Sequence, residues 1–488
     1  MSIWTILWVI WLVVSYTIKI IAVGVVPENR RPGASMGWLM AILFIPLIGV
    51  PMFIMFGSPY VNDRRQRIQA EVNKLLDQGT KDVPDWPDGY EPPRDFAQII
   101  QLNRHLTGLP MVDARKLSMS TDYKQAFHDM ADAVDAAESY VHVEIYIMAR
   151  DAYTEPFFQA LGRAAQRGVS VRVLLDHLGS RKYEGFRDLQ KWFDSVGIDW
   201  ELMLPFLPLQ GKMRRIDLRN HRKLVVVDGK VGFMGSQNCI ESAYGSQKNR
   251  DAGRHWNDIW VKVSGEVVAE LEAVFATDWY SEREEAIDIR PYDYEGREVP
   301  EFEGKDAAVQ LVPSGPGFKT EPNLRCFTSL MYLAEKRLSI VSPYFVPDET
   351  IKAAIITAAH RGVEVELFVS EKADQFMVEY AQSSYYDSLL EAGVRIHRLP
   401  KPQILHTKCF IVDDDYAVFG SSNMDMRSFS LNYEISLMCA EGDFVSGISD
   451  VVEEYRTRCT ELTLEEWRER GFFRRYLESV FRLTSALQ

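Results

Sequence analysis

Apolar positions fall in two regimes along the chain. At the N-terminus they run almost unbroken: residues 3–26 carry one charge, Lys19, and after the turn PENRRPGA a second apolar stretch fills residues 35–56. Each is about long enough for a helix across a bilayer core, which needs roughly 20 residues. The pattern predicts a two-helix transmembrane hairpin over residues 1–58. Pro46 and Pro51 would kink its second arm, which a bundled membrane helix tolerates. A signal peptide would account for one apolar stretch but not two, and no basic residue precedes the first. Arg30 and Arg31 lie between the stretches, whereas Arg64, Arg65, Arg67 and Lys74 follow the second. The larger count favours a cytoplasmic body. Residues 78–95, QGTKDVPDWPDGYEPPRD, are rich in Pro and Asp and belong to a juxtamembrane linker over 59–112.

In the second regime, short apolar runs alternate with helical segments, and the alternation occurs twice. Residues 164–175, AAQRGVSVRVLL, match residues 358–369, AAHRGVEVELFV. Both read as a helix end, a glycine at its C-terminus and a strand. An apolar strand precedes each, VHVEIYIMA from Val141 and LSIVSPYFV from Leu338. A further helix–Gly–strand follows each, ending SVGIDW or EAGVRIHRL. Strands alternating with helices predict an α/β fold, and two copies predict a duplicated pair of domains, 113–300 and 301–470. The acidic, Pro-broken stretch at residues 286–304 suits the boundary between them, and a C-terminal amphipathic segment covers 471–488.

The net charge of −14 disfavours a nucleic-acid partner, since such proteins carry a basic footprint. Five scattered cysteines without a CxxC predict free thiols, with neither a disulfide framework nor a zinc site. The chemistry lies instead in a third correspondence. RNHRKLVVVDGKVGFMGSQN from Arg219 matches ILHTKCFIVDDDYAVFGSSN from Ile404. Both contain His-x-Lys, four residues, Asp, six residues and Gly-Ser-x-Asn. The matched positions are His221, Lys223, Asp228, Gly235, Ser236 and Asn238, then His406, Lys408, Asp413, Gly420, Ser421 and Asn423.

Residues i and i+2 of a strand share a face, so each His and Lys should point the same way. Asp228-Gly229 signals a hairpin turn, which would return Gly-Ser-x-Asn beside His-x-Lys. Imidazole, ammonium, amide and hydroxyl groups gathered in this way suit a phosphate oxyanion with a nucleophile next to it. Two halves supply two histidines: one to attack phosphorus and form a phosphohistidine, the other to protonate the leaving oxygen and then accept a proton from the incoming group. Lys223, Lys408, Asn238 and Asn423 would stabilise the phosphate, with Ser236 and Ser421 as further phosphate-binding candidates. No metal or other cofactor is called for. Asp258 and Glu434, at matching places after the motifs, are candidates to orient the histidines. Asp228 and Asp413 belong to the catalytic motif, although their position after the strand is that of a turn or salt-bridge residue.

These residues resemble the phospholipase D superfamily, whose signature is the paired HxKxxxxD motif, and more closely its bacterial cardiolipin synthases. RRIDLRNHRK (214–223), PSGPGF (313–318), SPYFVPD (342–348) and NMDMRSFSLNYE (423–434) carry the closer likeness. The resemblance implies two duplicated phospholipase D-like α/β-sandwich domains sharing one active site, preceded by the transmembrane hairpin. It implies a phosphatidyltransferase of a bacterial inner membrane that condenses two phosphatidylglycerol molecules into cardiolipin and glycerol. His221 would be the nucleophile and His406 the acid and base. A phospholipase D-type hydrolase, or a headgroup-exchanging transphosphatidylase with another donor or acceptor, is the alternative. The partners implied are phosphatidylglycerol and the bilayer, with a homo-oligomer left open. Two basic stretches fit such a substrate: GKMRRIDLRNHRK (211–223) could hold anionic headgroups, and the C-terminal segment spaces aromatic residues and arginines as an interfacial helix does.

Overall fold

The computed structural model describes residues 2–28, 32–57, 63–207, 212, 213, 215–287 and 307–485. Two compact units emerge, Met1–Arg65 with Phe206–Leu218, and Gln66–Pro205 with Arg219–Gln488.

In the first unit, Ile3–Val25 forms one helix of 23 residues, long and apolar enough to cross a membrane. The second apolar stretch departs from the single arm expected. It is split into helices Pro32–Phe44 and Pro46–Met52, the latter running into a π turn at Phe53–Gly57. Proline explains the break: Pro46 offers no N–H and drives Ile45 out of helical geometry, to φ −134° and ψ 66°. The pieces still pack on the first helix through Ala22, Val26, Ile42 and Phe53.

The second unit is built on one sheet of sixteen strands among the described residues, fifteen in line and the short Arg219–Asn220 strand beside Asn432–Ala440. At its centre, Val112–Ser120 and Ala307–Ser314 pair antiparallel, with Val112 opposite Val309. Outward from Val112–Ser120 come Trp260–Gly265, Val231–Gly235, Lys223–Val227, Tyr140–Ile145, Ser170–Asp176 and Asp199–Met203. Outward from Ala307–Ser314 come Asn432–Ala440, Tyr416–Gly420, Cys409–Val412, Arg337–Val341, Glu364–Ser370 and Arg395–Leu399, with Thr460–Leu462 at the edge. The order reads the same from the centre in both directions, as a duplication requires. The strand–helix–strand units are parallel, and the motif strands form antiparallel hairpins. Glycines at positions 168, 197, 362 and 393 follow the crossover helices at φ between 77° and 92°, the left-handed geometry that glycine adopts without strain.

Alternate residues along the strands feed opposite faces. Phe410 and Val412 join a core with helices Pro322–Leu333 and Glu349–His360, whereas Cys409 and Ile411 join one with helices Val267–Arg283 and Gly442–Arg458. The latter core runs without a break across both halves, which makes the catalytic body one packed unit. Part of the expected linker also belongs to it. Helix Arg94–Thr107 buries Phe96, Ile99 and Ile100, stacks Phe96 on Tyr416 at 4.1 Å and donates from Asn103 Nδ2 to the Leu311 carbonyl at 2.9 Å. The expected boundary at 286–304 falls, beyond Ile287, outside the described residues.

Candidate active site

Each motif begins just ahead of its strand. Lys223 opens Lys223–Val227, and Cys409–Val412 starts one residue after Lys408, so both histidines occupy extended lead-ins rather than the strands expected for them. Each lysine folds back over its histidine. Lys223 Nζ donates to the His221 carbonyl at 2.5 Å, and Lys408 Nζ donates to that of His406. All four side chains are buried.

The lead-ins are held by two short parallel ladders that tie one half to the other. Arg219–Asn220 pairs with Asn432 and Tyr433, immediately before Glu434. Ile404–Leu405 pairs with Trp256–Asn257, immediately before Asp258. The carboxylates are thereby exchanged between the halves. His221 Nδ1 lies 3.0 Å from Glu434 Oε2, 213 residues away in sequence. His406 Nδ1 lies 2.9 and 2.8 Å from the two oxygens of Asp258, 148 residues away.

This geometry assigns the tautomers. His221 Nδ1 is also 3.0 Å from the Ser421 carbonyl. Its neighbours are therefore two acceptors, so Nδ1 carries the proton and Nε2 keeps its lone pair. The same holds for His406 against the Asp258 carboxylate. Burial pushes both imidazoles down to about 4; the facing carboxylates oppose that shift, while the lysines of both motifs add to it. Each imidazole thus lies within electrostatic range of the other motif's lysine. Burial also lowers Lys408 to about 8 and Lys223 well below the usual ammonium range. Burial alone would raise Glu434 and Asp258, but the adjacent imidazoles, lysines and serine hydroxyls hold both below the ordinary carboxylate range.

The serines of the motif, candidates for phosphate binding in the sequence, and its glycines both meet the carboxylate strands here. Ser236 Oγ donates to Asp258 at 2.6 Å and accepts from the Ile259 N–H; Ser421 Oγ donates to Glu434 at 2.5 Å and accepts from the Ile435 N–H. Both hydroxyls are used behind the histidines. A Cβ on Gly235 or Gly420 would collide with the Ile259 or Ile435 carbonyl, so these glycines admit the strand bearing the carboxylate, not a ligand. Asn238 donates from Nδ2 to the Tyr244 hydroxyl at 2.9 Å, and the buried Asn423 side-chain oxygen has no hydrogen-bond partner among the described residues.

Asp228 and Asp413, named in the sequence as catalytic candidates, lie at the far end of the motif hairpins. Asp228 accepts from the backbone N–H groups of Glu138, Ser139 and Tyr140, each at 2.8 Å. Asp413 accepts from those of Glu335, Lys336 and Arg337, each at 2.7 Å. Both sit at positive φ in the turn, and each ties it to the start of the neighbouring strand. The acidic DDDYA loop is explained in the same way, since Asp414 pairs with Arg337. Asp228→Ala is expected to cost about 1–3 kcal/mol by removing these hydrogen bonds to a charged acceptor, lowering the melting temperature while the folded fraction keeps its specific activity. Thermal unfolding with assay of the surviving protein checks this. An intact melt with lost activity would return Asp228 to the catalytic set.

The basic stretch before the first motif also works structurally where it is described. Arg215 pairs with Asp217, Arg219 with buried Asp176 at 3.0 Å, and Arg222 with Asp278. Gly211 and Arg214 fall outside the described residues. His255 Nδ1 lies 3.2 Å from Ser242 Oγ. Sequence reading missed the aromatic lining. Tyr146 packs edge-on to His221 with centroids 4.9 Å apart, and Tyr244 to His406 at 5.9 Å. Its one sequence signal was proximity, Tyr146 following an apolar strand and Tyr244 following Asn238 by six residues.

Two buried imidazoles with oriented Nδ1 protons, flanked by buried lysine amines, can receive an anionic phosphodiester and exchange its oxygen substituents. Among the described residues, no cluster of three or more His, Cys, Asp or Glu has a metal-binding arrangement.

Comparison with known proteins bears on this chemistry. A family model described as "Cardiolipin synthase, PLD-like domain" matches residues 130–279 and 327–456, more than half of the chain. The chain is 33% identical over 459 residues to cardiolipin synthase A of Proteus mirabilis, covering 93% of this chain and 92% of that one. It is 32% identical over 479 residues to cardiolipin synthase of Geobacillus kaustophilus, covering 97% and 92%. The solved structure of phosphatidylserine synthase from Haemophilus influenzae shares the fold. It has a TM-score of 0.59 at 14% identity, over 80% of this chain and 100% of that one.

Proposed function

This chain belongs to the cardiolipin synthase family of phospholipase D-like proteins, and on that premise we propose that it transfers a phosphatidyl group between two phosphatidylglycerol molecules, forming cardiolipin and glycerol. The pair of imidazoles whose Nδ1 atoms face carboxylates supports this reading most directly. His221 Nε2 attacks phosphorus, and the bond from phosphorus to the headgroup glycerol oxygen breaks. Protonated His406 gives its proton to that oxygen, and glycerol leaves. His406 Nε2 then takes a proton from the terminal hydroxyl of a second phosphatidylglycerol. The freed oxygen attacks the phosphohistidine, the P–N bond breaks and His221 is restored. Burial keeps both imidazoles neutral before substrate arrives. The anionic phosphodiester offsets the lysine charges and raises the pKa of His406 so that it can act as an acid. Lys223, Lys408, Asn238 and Asn423 stabilise charge on the non-bridging oxygens.

The catalytic body divides into domains 113–300 and 301–470. The apolar helices before it form a membrane hairpin with a kinked second arm and leave the body on the cytoplasmic side of a bacterial inner membrane. Incubation of purified protein with phosphatidylglycerol vesicles is expected to yield cardiolipin and glycerol in equal amounts, at a rate unchanged by EDTA. Phosphatidic acid as the sole lipid product would replace transfer by hydrolysis, and loss of activity in EDTA would refute the metal-free scheme.

A further inference from the structure

Helix Phe472–Arg482 packs one side and leaves another open. Phe481 meets Phe376 and Tyr380, with ring centroids 5.4 and 5.6 Å apart, and Glu478 is buried between Arg470 and Arg474. Just beyond the helix, Tyr385 Oη lies 3.2 Å from Ser485 Oγ. On the open side Phe472 is 76% exposed, Phe473 71% and Leu483 85%, with Tyr476 and Val480 between them. At about 100° per residue these five side chains fall on one stripe roughly 100° wide. Exposed Arg475 and Arg482 flank it. Helix Phe376–Glu391 extends the patch, since its first residues, Phe376 and Met377, are also exposed.

We propose that this face is a membrane-docking surface, resting on a bilayer of anionic lipid so that headgroups meet the catalytic site directly. Two further observations favour a lipid surface over other occupants. The flanking charges, Arg475 and Arg482, are cationic, which suits the anionic headgroups of such a bilayer. The patch is also tied to the surroundings of the site through Asp374. Two residues before Phe376, Asp374 accepts from the Tyr344 hydroxyl at 2.9 Å, and its carboxylate acts on both Lys408 and Tyr244, the residue packed on His406. Burying the open stripe would then hold the mouth of the site at headgroup depth, a contact distinct from the N-terminal helix.

The inference rests on the lipid substrate proposed above, and its test separates the two. The full-length triple variant Phe472→Ser, Phe473→Ser, Leu483→Ser alters exposed positions only. It is expected to lose about tenfold or more of its activity on phosphatidylglycerol vesicles and to stay within about twofold of wild type on monomeric short-chain phosphatidylglycerol. Equal loss on both substrates, or none on either, would overturn the docking surface. If wild type forms cardiolipin from neither substrate, the functional reading fails and docking is judged by a second measurement. A fluorophore on Phe473→Cys, in full-length protein reconstituted in anionic vesicles, should be quenched by lipid spin-labelled near the headgroup. Absence of quenching, or quenching only by a labelled second copy, refutes the proposal.

Discussion

His221→Ala and His406→Ala each reduce cardiolipin formation by more than about 10⁴-fold, the loss expected when a nucleophile or the sole general acid is removed. The two losses differ in kind. Without His221 nothing remains to form the P–N bond, so no phosphatidyl group becomes attached to the protein. Without His406 the nucleophile survives, but the glycerol oxygen must depart unprotonated, so attachment to His221 is slow and resolution slower still. Acid-free quenching after mixing with phosphatidylglycerol labelled in its phosphate distinguishes them: trace label on His221 in the His406 variant, none in the other. Label on His406 in the His221 variant would reverse the roles, and full activity in either variant would end the two-histidine scheme. Neither change should unfold the body. The Glu434 carboxylate keeps the Ser421 hydroxyl and Asn432 Nδ2 as donors, and Asp258 keeps the Ser236 hydroxyl.

The second large effect tests the exchange of carboxylates. Asp258→Asn should lower kcat by about 10³–10⁴-fold with little change in KM, because an amide can present its N–H to Nδ1 and favour the wrong tautomer of His406. Glu434→Gln should cost less, about 10²-fold. His221 Nδ1 retains the Ser421 carbonyl at 3.0 Å, whereas among the described residues His406 Nδ1 has only the two oxygens of Asp258. Steady-state kinetics on both variants supply the comparison. Wild-type rates in Asp258→Asn would remove the carboxylate from the mechanism, and equal losses would remove the Ser421 carbonyl from it. Because Asp258 belongs to the first half of the chain and His406 to the second, the halves should not function when expressed and assayed separately.

Much of the site was legible because it is local and repeated. The spacing from His to Lys to Asp to Gly-Ser-x-Asn recurs after the same strand–helix–Gly–strand sequence, and the observed hairpins pair Leu224 with Met234 and Cys409 with Phe419. Asp258 and Glu434 could be picked out by their matching places at the start of apolar strands. The serine and glycine roles could not, because a motif shows which residues stand together without showing which neighbour each one faces. Only the packed strands put the Ile259 and Ile435 carbonyls against Gly235 and Gly420. Val112–Ser120 and Ala307–Ser314 were also missed as strands, although they join the halves. The split at Pro46 was visible in composition, but its consequence depended on the backbone turning out of helix at Ile45.

The sequence alone determined the α/β duplication, the two histidines, the two lysines and the apolar N-terminus, since periodicity and spacing are properties of short stretches of chain. Tertiary structure alone decided which carboxylate serves which histidine. That choice is made by ladders of two residues each, Arg219–Asn220 on Asn432 and Tyr433, and Trp256–Asn257 on Ile404 and Leu405. Such a ladder leaves no periodic trace in sequence. It forms because the antiparallel centre of the sheet and the core shared by both halves bring the lead-in of each motif beside the carboxylate strand of the other.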